Sequence, residues 1–336
     1  MIKESGLSEN FMSKKLLLFC LLSIGFTLFL LFGTPIPLAS ASDGPPVSTT
    51  PETSARQGSH AISTFLGRHD EKEITDDLDA RYLATRTLVY QLLHAPSTKL
   101  HNPVPVIVLV DQSVRESKRQ RLQNDGAIVV GVQSVEAIGH GDGMHAAKLQ
   151  IFNPNLVPYE KVLYMDADMI LTHPIDKIFN DPSTAAKNVG QSLQTASGNS
   201  ESLPESFVMA AAPVTADYSD STQASIPFYN GLFIYTPSAD IFQYYLKMLG
   251  QSGHDLLNYA HRRGGPMPWQ NMHSSWYSNW PGDNALDGKT ALLNAKGQGR
   301  DGYGQSSYSD SDVREYAQSQ RWKMEEYWLG KTEASM

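Results

Sequence analysis

Two carboxylates stand two residues apart, Asp166 and Asp168, directly after the mostly apolar run Lys161-Val-Leu-Tyr-Met165. If that run is a buried strand, side chains at i and i+2 point to one side, and the pair can hold a single hard divalent cation between oxygen ligands. Open α/β sheets bind ligands outside the carboxyl ends of their strands, so a cation held there would neutralise a nucleotide diphosphate. The bland alternative is an acidic loop after a strand. A cluster of aromatic side chains, Tyr259, Trp269, Trp276, Tyr277 and Trp280, is the second chemical signal. Such rings either stack on sugar faces or fill a core.

These groups need a sheet to position them. Short apolar runs, Ala61–Leu66, Val104–Val110, Ile128–Val132 and Lys161–Met165, alternate with helical patterns at Leu78–Leu93 and Arg115–Gln123. That alternation predicts an α/β fold. In the first helix Leu88/Leu92 and Val89/Leu93 are each four apart, and Pro96 follows its end. Val106–Val110 is apolar throughout, as a strand buried on both faces of a parallel sheet must be. Asp125-Gly126 turns the second helix into the next strand. Met144–Phe152 is helix-like and places Lys148 ahead of the carboxylate pair. Two Ser-, Gly- and Asp-rich stretches, 183–206 and 281–312, interrupt the pattern and read as a surface insertion and a long loop.

Composition narrows the class. The chain has 336 residues, 41% hydrophobic and 18% charged, which excludes a disordered chain. A net charge of −8 without any long basic run excludes non-specific nucleic-acid binding. One cysteine, Cys20, leaves no intramolecular disulfide and no cysteine-based zinc site.

Residues 16–33 form an uncharged apolar run preceded by Lys14 and Lys15. Eighteen helical residues reach roughly 27 Å, close to the hydrocarbon thickness of a bilayer, and the lysines favour a cytosolic amino terminus. The expectation is a single-pass type II protein of the Golgi or endoplasmic reticulum: cytosolic tail 1–15, signal anchor 16–33, Pro/Ser/Thr-rich stalk 34–59, folded domain 60–280, and a carboxy-terminal segment 281–336 of the same domain. A signal peptide cleaved near Ala39-Ser40-Ala41, giving a secreted protein, is the other reading of the same run.

The string KLQIFNPNLVPYEKVLYMDADMILTHPIDKIF, residues 148–179, closely resembles the central block of glycosyltransferase family 8, the glycogenin-like enzymes. Residues 61–67, 82–96, 228–238 and 256–269 extend the resemblance, with the flavour of fungal lumenal members. The resemblance implies a Rossmann-like nucleotide-diphosphosugar transferase fold of the GT-A type, with a mixed, mainly parallel central sheet. It also implies a UDP-sugar donor, Mn2+, and hexosyl transfer to a glycan, protein or lipid acceptor with retention of configuration. By position, Asp166 and Asp168 would bind the metal and donor, Thr64 and Leu66 the uridine, and Lys148 the donor, where its charge would assist catalysis.

Three departures qualify that pattern. Tyr229-Asn230-Gly231 lacks a residue of the family's Asn-containing turn, so either Asn230 or Tyr229 takes the donor-binding role beside Gly231. The expected Asp-Gln pair is replaced by Gly253-His254, leaving His254 and Asp255 as the substrate-binding and catalytic candidates there. The family's late metal-binding histidine aligns with Met324, a thioether and poor ligand for a hard ion, with His273 or Glu325 as substitutes. A catalytically impaired nucleotide-sugar-binding protein of the same fold is therefore the second reading. A haloacid-dehalogenase-type phosphatase is disfavoured, since Met169-Ile170 stands where that chemistry wants Gly-Thr.

Overall fold

A computed structural model describes residues 58–67, 79–133, 147–190, 203–214, 227–249, 256–278, 281, 285–294 and 311–334. The expected tail, anchor and most of the stalk lie outside these residues, as do His254, Asp255 and Trp280. Among the described residues no helix is long and apolar enough to cross a membrane.

The first strand, β1 (Gly58–Leu66), begins inside the stretch expected to be linker. Helix α1 (Ala80–Leu93) follows, its first turn capped by the Asp79 carboxylate, which accepts from Tyr82 N at 3.1 Å. Then come β2 (Val106–Asp111), buried along its whole length, α2 (Glu116–Asn124) and β3 (Ile128–Val132). Gly126, just past the α2 cap, has φ +103°, a value that suits glycine. Strand β4 (Tyr159–Met165) carries the carboxylate pair at its end and leads through a tight turn into β5 (Met169–Leu171).

The remaining elements are β6 (Lys187–Asn188), β7 (Ser206–Phe207), β8 (Met209–Pro213), β9 (Phe228–Tyr235), α3 (Ala239–Met248), α4 (Leu256–Ala260), β10 (Gln270–Asn271), β11 (Tyr277–Ser278), β12 (Leu292–Asn294) and α5 (Ser311–Glu333). Within the stretch 183–206, expected as a surface insertion, Lys187–Asn188 pairs with Ser206–Phe207 as β6 and β7, and residues 191–202 lie outside the described residues. The presumed loop 281–312 contains β12, because Leu292 and Leu293 are fully buried apolar residues in a polar neighbourhood.

The main sheet has seven strands in the order β10-β8-β9-β4-β1-β2-β3, a mixed and mainly parallel α/β sheet as expected. Strands β1 to β4 run parallel to one another, while β9 is antiparallel to both β4 and β8. The order 3-2-1 is that of a mononucleotide-binding half, and the strand order reverses between β1 and β4. A smaller sheet, β11-β12-β5, hangs from the turn that follows β4.

Alternation along the strands divides the core between the sheet's two faces. Leu163 and Met165 of β4 face α1 with Ile62 and Leu66, whereas Val162 and Tyr164 face α3 and α4 with Phe233 and Tyr235. Each such buried side chain contributes roughly 1.5–3 kcal/mol. The carboxy-terminal helix α5 packs on α1, where Met324 meets Tyr90, while its Val313 and Ala317 pack on Ile170 of β5 and Leu293 of β12, and Tyr316 donates to Leu171 O at 3.0 Å, steadying β5. Gln91 of α1 accepts from Leu171 N at 3.0 Å.

Candidate functional site

The antiparallel ladder of β4 and β9 ends at Met165 opposite Leu232, and Asp166 N then donates to Gly231 O at 2.7 Å. This bond fixes where β4 stops. Met169 N donates back to Asp166 O at 3.2 Å, closing the turn that contains Asp168. The carboxylates thus sit at the carboxyl end of β4, beside the switch point between β1 and β4, where the general rule for open α/β sheets puts a nucleotide.

The Asp166 side chain is held from one side. Its Oδ1 accepts from Tyr164 OH at 2.6 Å and from Lys148 Nζ at 3.1 Å. Lys148 is the last α-helical residue before the 3₁₀ turn Leu149–Phe152, and residues 144–146 of the helix expected over Met144–Phe152 lie outside the described residues. Its ammonium also donates to Asn230 O at 3.0 Å and lies 4.3 Å from the Tyr164 ring centre. The pair keeps contact with solvent, with 22% of the Lys148 side chain and 34% of the Asp166 side chain exposed. The other oxygen, Oδ2, faces the Gly231 α-carbon and the edge of Tyr229, and a methyl group at residue 231 would overlap both.

A wall of phenols stands opposite the lysine. The Tyr229 and Tyr277 rings stack at 5.4 Å with 14° between their planes. Asn294 Nδ2 donates to Tyr277 OH at 3.3 Å. Strand β12 brings Asn294 there, since its register pairs Asn294 with Met169, the residue after Asp168. Burial, and then the neighbouring charges of Asp166 and Asp168, hold the Tyr229 phenol far above its ordinary range. Tyr277 is shifted the same way, first by burial. Tyr164 follows them, with burial again the main cause. All three therefore remain protonated and can only present hydroxyls to an anion.

Of the residues expected in the site, Lys148, Asp166, Asp168 and Gly231 meet here, and Asn230 contributes its main-chain carbonyl. Thr64 and Leu66 are buried on the α1 face of β1, Leu66 inside the apolar cluster with Leu88 and Leu92. Thr64 Oγ1 has no hydrogen-bond partner among the described residues. The aromatic cluster splits up: Trp269 is core, Tyr259 is a surface ring under Arg262, and Trp276 donates to Asp181 Oδ2 at 2.8 Å, so Tyr277 is the member that reaches the carboxylates. The position aligned with the family's late histidine, and the two substitutes for it, are occupied elsewhere. Met324 is buried against Tyr90 and Ala95, Glu325 accepts from Arg321 at 3.0 Å, and His273 Nδ1 bonds Ser275 at 2.7 Å. Tyr164 and Asn294 escaped the sequence analysis. The Leu-Leu-Asn run inside a polar stretch was the one signal for the last of them.

Among the described residues no group of three His, Cys, Asp or Glu side chains converges. Two carboxylates nevertheless suffice for a small hard cation that takes its other ligands from phosphate and water. Asp166 Oδ2, lying in a cradle that only glycine leaves open, is an oxygen suited to that use.

No protein-family model matches the chain. An uncharacterised protein of Schizosaccharomyces pombe is 33% identical over 120 residues, covering 32% of this chain and 31% of the relative. A second uncharacterised protein of the same organism is 24% identical over 268 residues, covering 66% of this chain and 69% of the relative. The chain thus spans under a third of the first relative's length. Among solved structures, the apo form of mouse xyloside xylosyltransferase 1 is similar with a TM-score of 0.38 at 10% identity, covering 72% of this chain and 99% of that one. The inositol-1-phosphate CTP transferase of T. maritima is similar with a TM-score of 0.38 at 11% identity, covering 79% and 98%.

Proposed function

We propose that this protein is a glycosyltransferase of the secretory lumen that takes a hexosyl unit from a UDP-sugar and passes it, with retention, to a glycan, protein or lipid acceptor. The observation that carries this reading is the position of Asp166 and Asp168 at the end of β4, beside the β1/β4 switch point, with Lys148 bonded to Asp166. The resemblance of residues 148–179 to family 8 supplies the donor class and the retaining outcome.

Asp166 Oδ2 and Asp168 would hold a divalent cation, with manganese the expected one; when bound, such a cation offsets the charge that builds on a departing diphosphate. The chain's own groups do the remainder. Tyr164 fixes the Asp166 rotamer through Oδ1. Lys148 is anchored on the Asn230 carbonyl and holds a positive charge ready for the diphosphate without reorganising during transfer. The part-buried Tyr229 stands beside both carboxylates with its phenol protonated, backed by the buried Tyr277 ring stacked on it, and is the ring a sugar would meet. Among the described residues no nucleophile with an adjacent base stands here, and the acceptor hydroxyl is read as attacking from the face the nucleotide leaves.

The test is UDP binding with and without manganese, by calorimetry, for the parent and for Asp166→Asn and Asp168→Asn. Both variants should keep the fold and lose manganese-dependent UDP binding, and hydrolysis of a panel of UDP-sugars should fall with it. Parent-like binding in both variants would remove the site assignment. Lumenal placement is tested separately: protease added to sealed microsomes should spare the folded domain until detergent is added.

A further inference from the structure

Lys148 and a cation compete for the same carboxylate. Lys148 Nζ and Tyr164 OH both donate to Asp166 Oδ1, so that oxygen already serves two donors. The ammonium is held on three sides, by Asp166, by the Asn230 carbonyl and by the Tyr164 ring, and it is not a freely swinging surface lysine. A doubly charged ion on Asp166 therefore lands within a few ångströms of a fixed positive charge, in a part-buried place where screening by water is incomplete. A diphosphate changes the sign of that relationship, since its oxygens can take the cation on one side and the ammonium on the other.

Building on the metal-assisted reading above, we propose that Lys148 is an internal counter-ion of Asp166 that makes binding of the divalent cation and of the nucleotide diphosphate mutually dependent. With Lys148 present, the cation alone binds weakly, because it meets the ammonium without compensation. Once a diphosphate is in place, both positive charges are satisfied and each ligand tightens the other by the same factor, as linkage requires. Lys148 is a positioning residue for the pair as well as a contact for the donor. The consequence is that cation and donor each bind weakly alone and fill the site together.

The experiment uses the full-length protein and two probes, manganese and UDP, with free manganese read by electron paramagnetic resonance and UDP binding by calorimetry. The parent should bind manganese weakly alone and markedly tighter with saturating UDP. Lys148→Gln, which retains a donor for the Asn230 carbonyl but no charge, should bind manganese alone about tenfold or more tighter than the parent and UDP more weakly, and the coupling factor should shrink by about that amount. Lys148→Arg, which keeps the charge, should stay near the parent in coupling. If Lys148→Gln binds manganese alone no better than the parent, while both still bind it with UDP, the counter-ion role is wrong and the metal site stands. If neither protein binds manganese even with UDP, the metal-assisted reading fails and takes this inference with it.

Discussion

Asp166 Oδ2 rests against the α-carbon of Gly231, close enough that a side chain of any size at position 231 would displace either the carboxylate or the Tyr229 ring. This contact ties the end of β4 to β9 through a carboxylate as well as through the main-chain bond from Asp166 N to Gly231 O. Glycine is required here for close approach, since no left-handed backbone conformation is involved.

Gly231→Ala is accordingly expected to act on ligand binding more than on the fold. The backbone accepts alanine, but the methyl group overpacks the site, at a cost of about 1–3 kcal/mol of stability by urea denaturation. Moving Asp166 Oδ2 should weaken manganese-dependent UDP binding by about tenfold or more, in the range typical of disturbed ligand support. A variant that loses stability yet binds UDP and manganese normally would show that Oδ2 is not a ligand.

The sequence leaves open whether Asn230 or Tyr229 serves the donor, and the structure gives them different kinds of contact. Asn230 holds Lys148 through its main-chain carbonyl, which survives replacement of the side chain. Tyr229 places its ring and hydroxyl beside both carboxylates. Asn230→Ala should therefore leave transfer nearly intact, while Tyr229→Phe should lower it by about tenfold, the worth of one hydrogen bond to a charged partner. Initial rates on a hydrolysable UDP-sugar check the order, and the reverse order would return the role to the Asn230 side chain.

How much of this was readable beforehand follows from separation along the chain. Asp166, Asp168 and Lys148 belong to one local block of helix, strand and turn, although the two carboxylates come together through the turn that Met169 N closes on Asp166 O after β4 stops at Met165, and not through the extended alternation the sequence suggests. β1 to β4 were legible for the same reason, as apolar runs broken by turn residues. Asn294 and Tyr277 are more than a hundred residues from Asp166 and reach it only through β12 pairing with β5, a register that no local pattern specifies. α5 was hidden by its polar composition, although Val313, Ala317, Gln320 and Met324 fall at helical spacing on its buried face.

A buried ion pair joins the two helices that flank β2. Arg86 of α1 donates from Nε to Asp125 Oδ2 at 2.5 Å and from a terminal nitrogen to Oδ1 at 3.0 Å, with the carboxylate side chain 1% exposed. Asp125→Ala strands the guanidinium and should cost about 3–5 kcal/mol, whereas removing both charges in Arg86→Met/Asp125→Ala should cost clearly less than the sum of the two single changes. Urea denaturation of the four proteins measures this, and simple additivity would show that the pair is not coupled.

His261 gives the fold a defined acid sensitivity. It is fully buried, its Nδ1 lies 2.6 Å from Met267 O and its Nε2 bonds Tyr245 OH. A carbonyl can only accept, so Nδ1 carries the proton and Nε2 accepts from the phenol. Burial lowers the folded pKa from 6.5 to about 4. Between those values the unfolded chain binds a proton that the folded one refuses, so stability is full above pH 6.5 and is lost as pH falls towards 4. The full window is worth ~3 kcal/mol. Asp176 and Asp181, whose pKa values are lowered by the hydrogen bonds they accept despite their burial, add to acid unfolding only below the ordinary carboxylate range. His261→Gln separates the contributions: it should be less stable at pH 7, because the Tyr245 contact is lost, but its urea midpoint should change much less than the parent's between pH 7 and pH 4.5. Equal slopes in the two proteins would mean that His261 takes up its proton as readily folded as unfolded, and the role of Nε2 as acceptor from Tyr245 would fall with it.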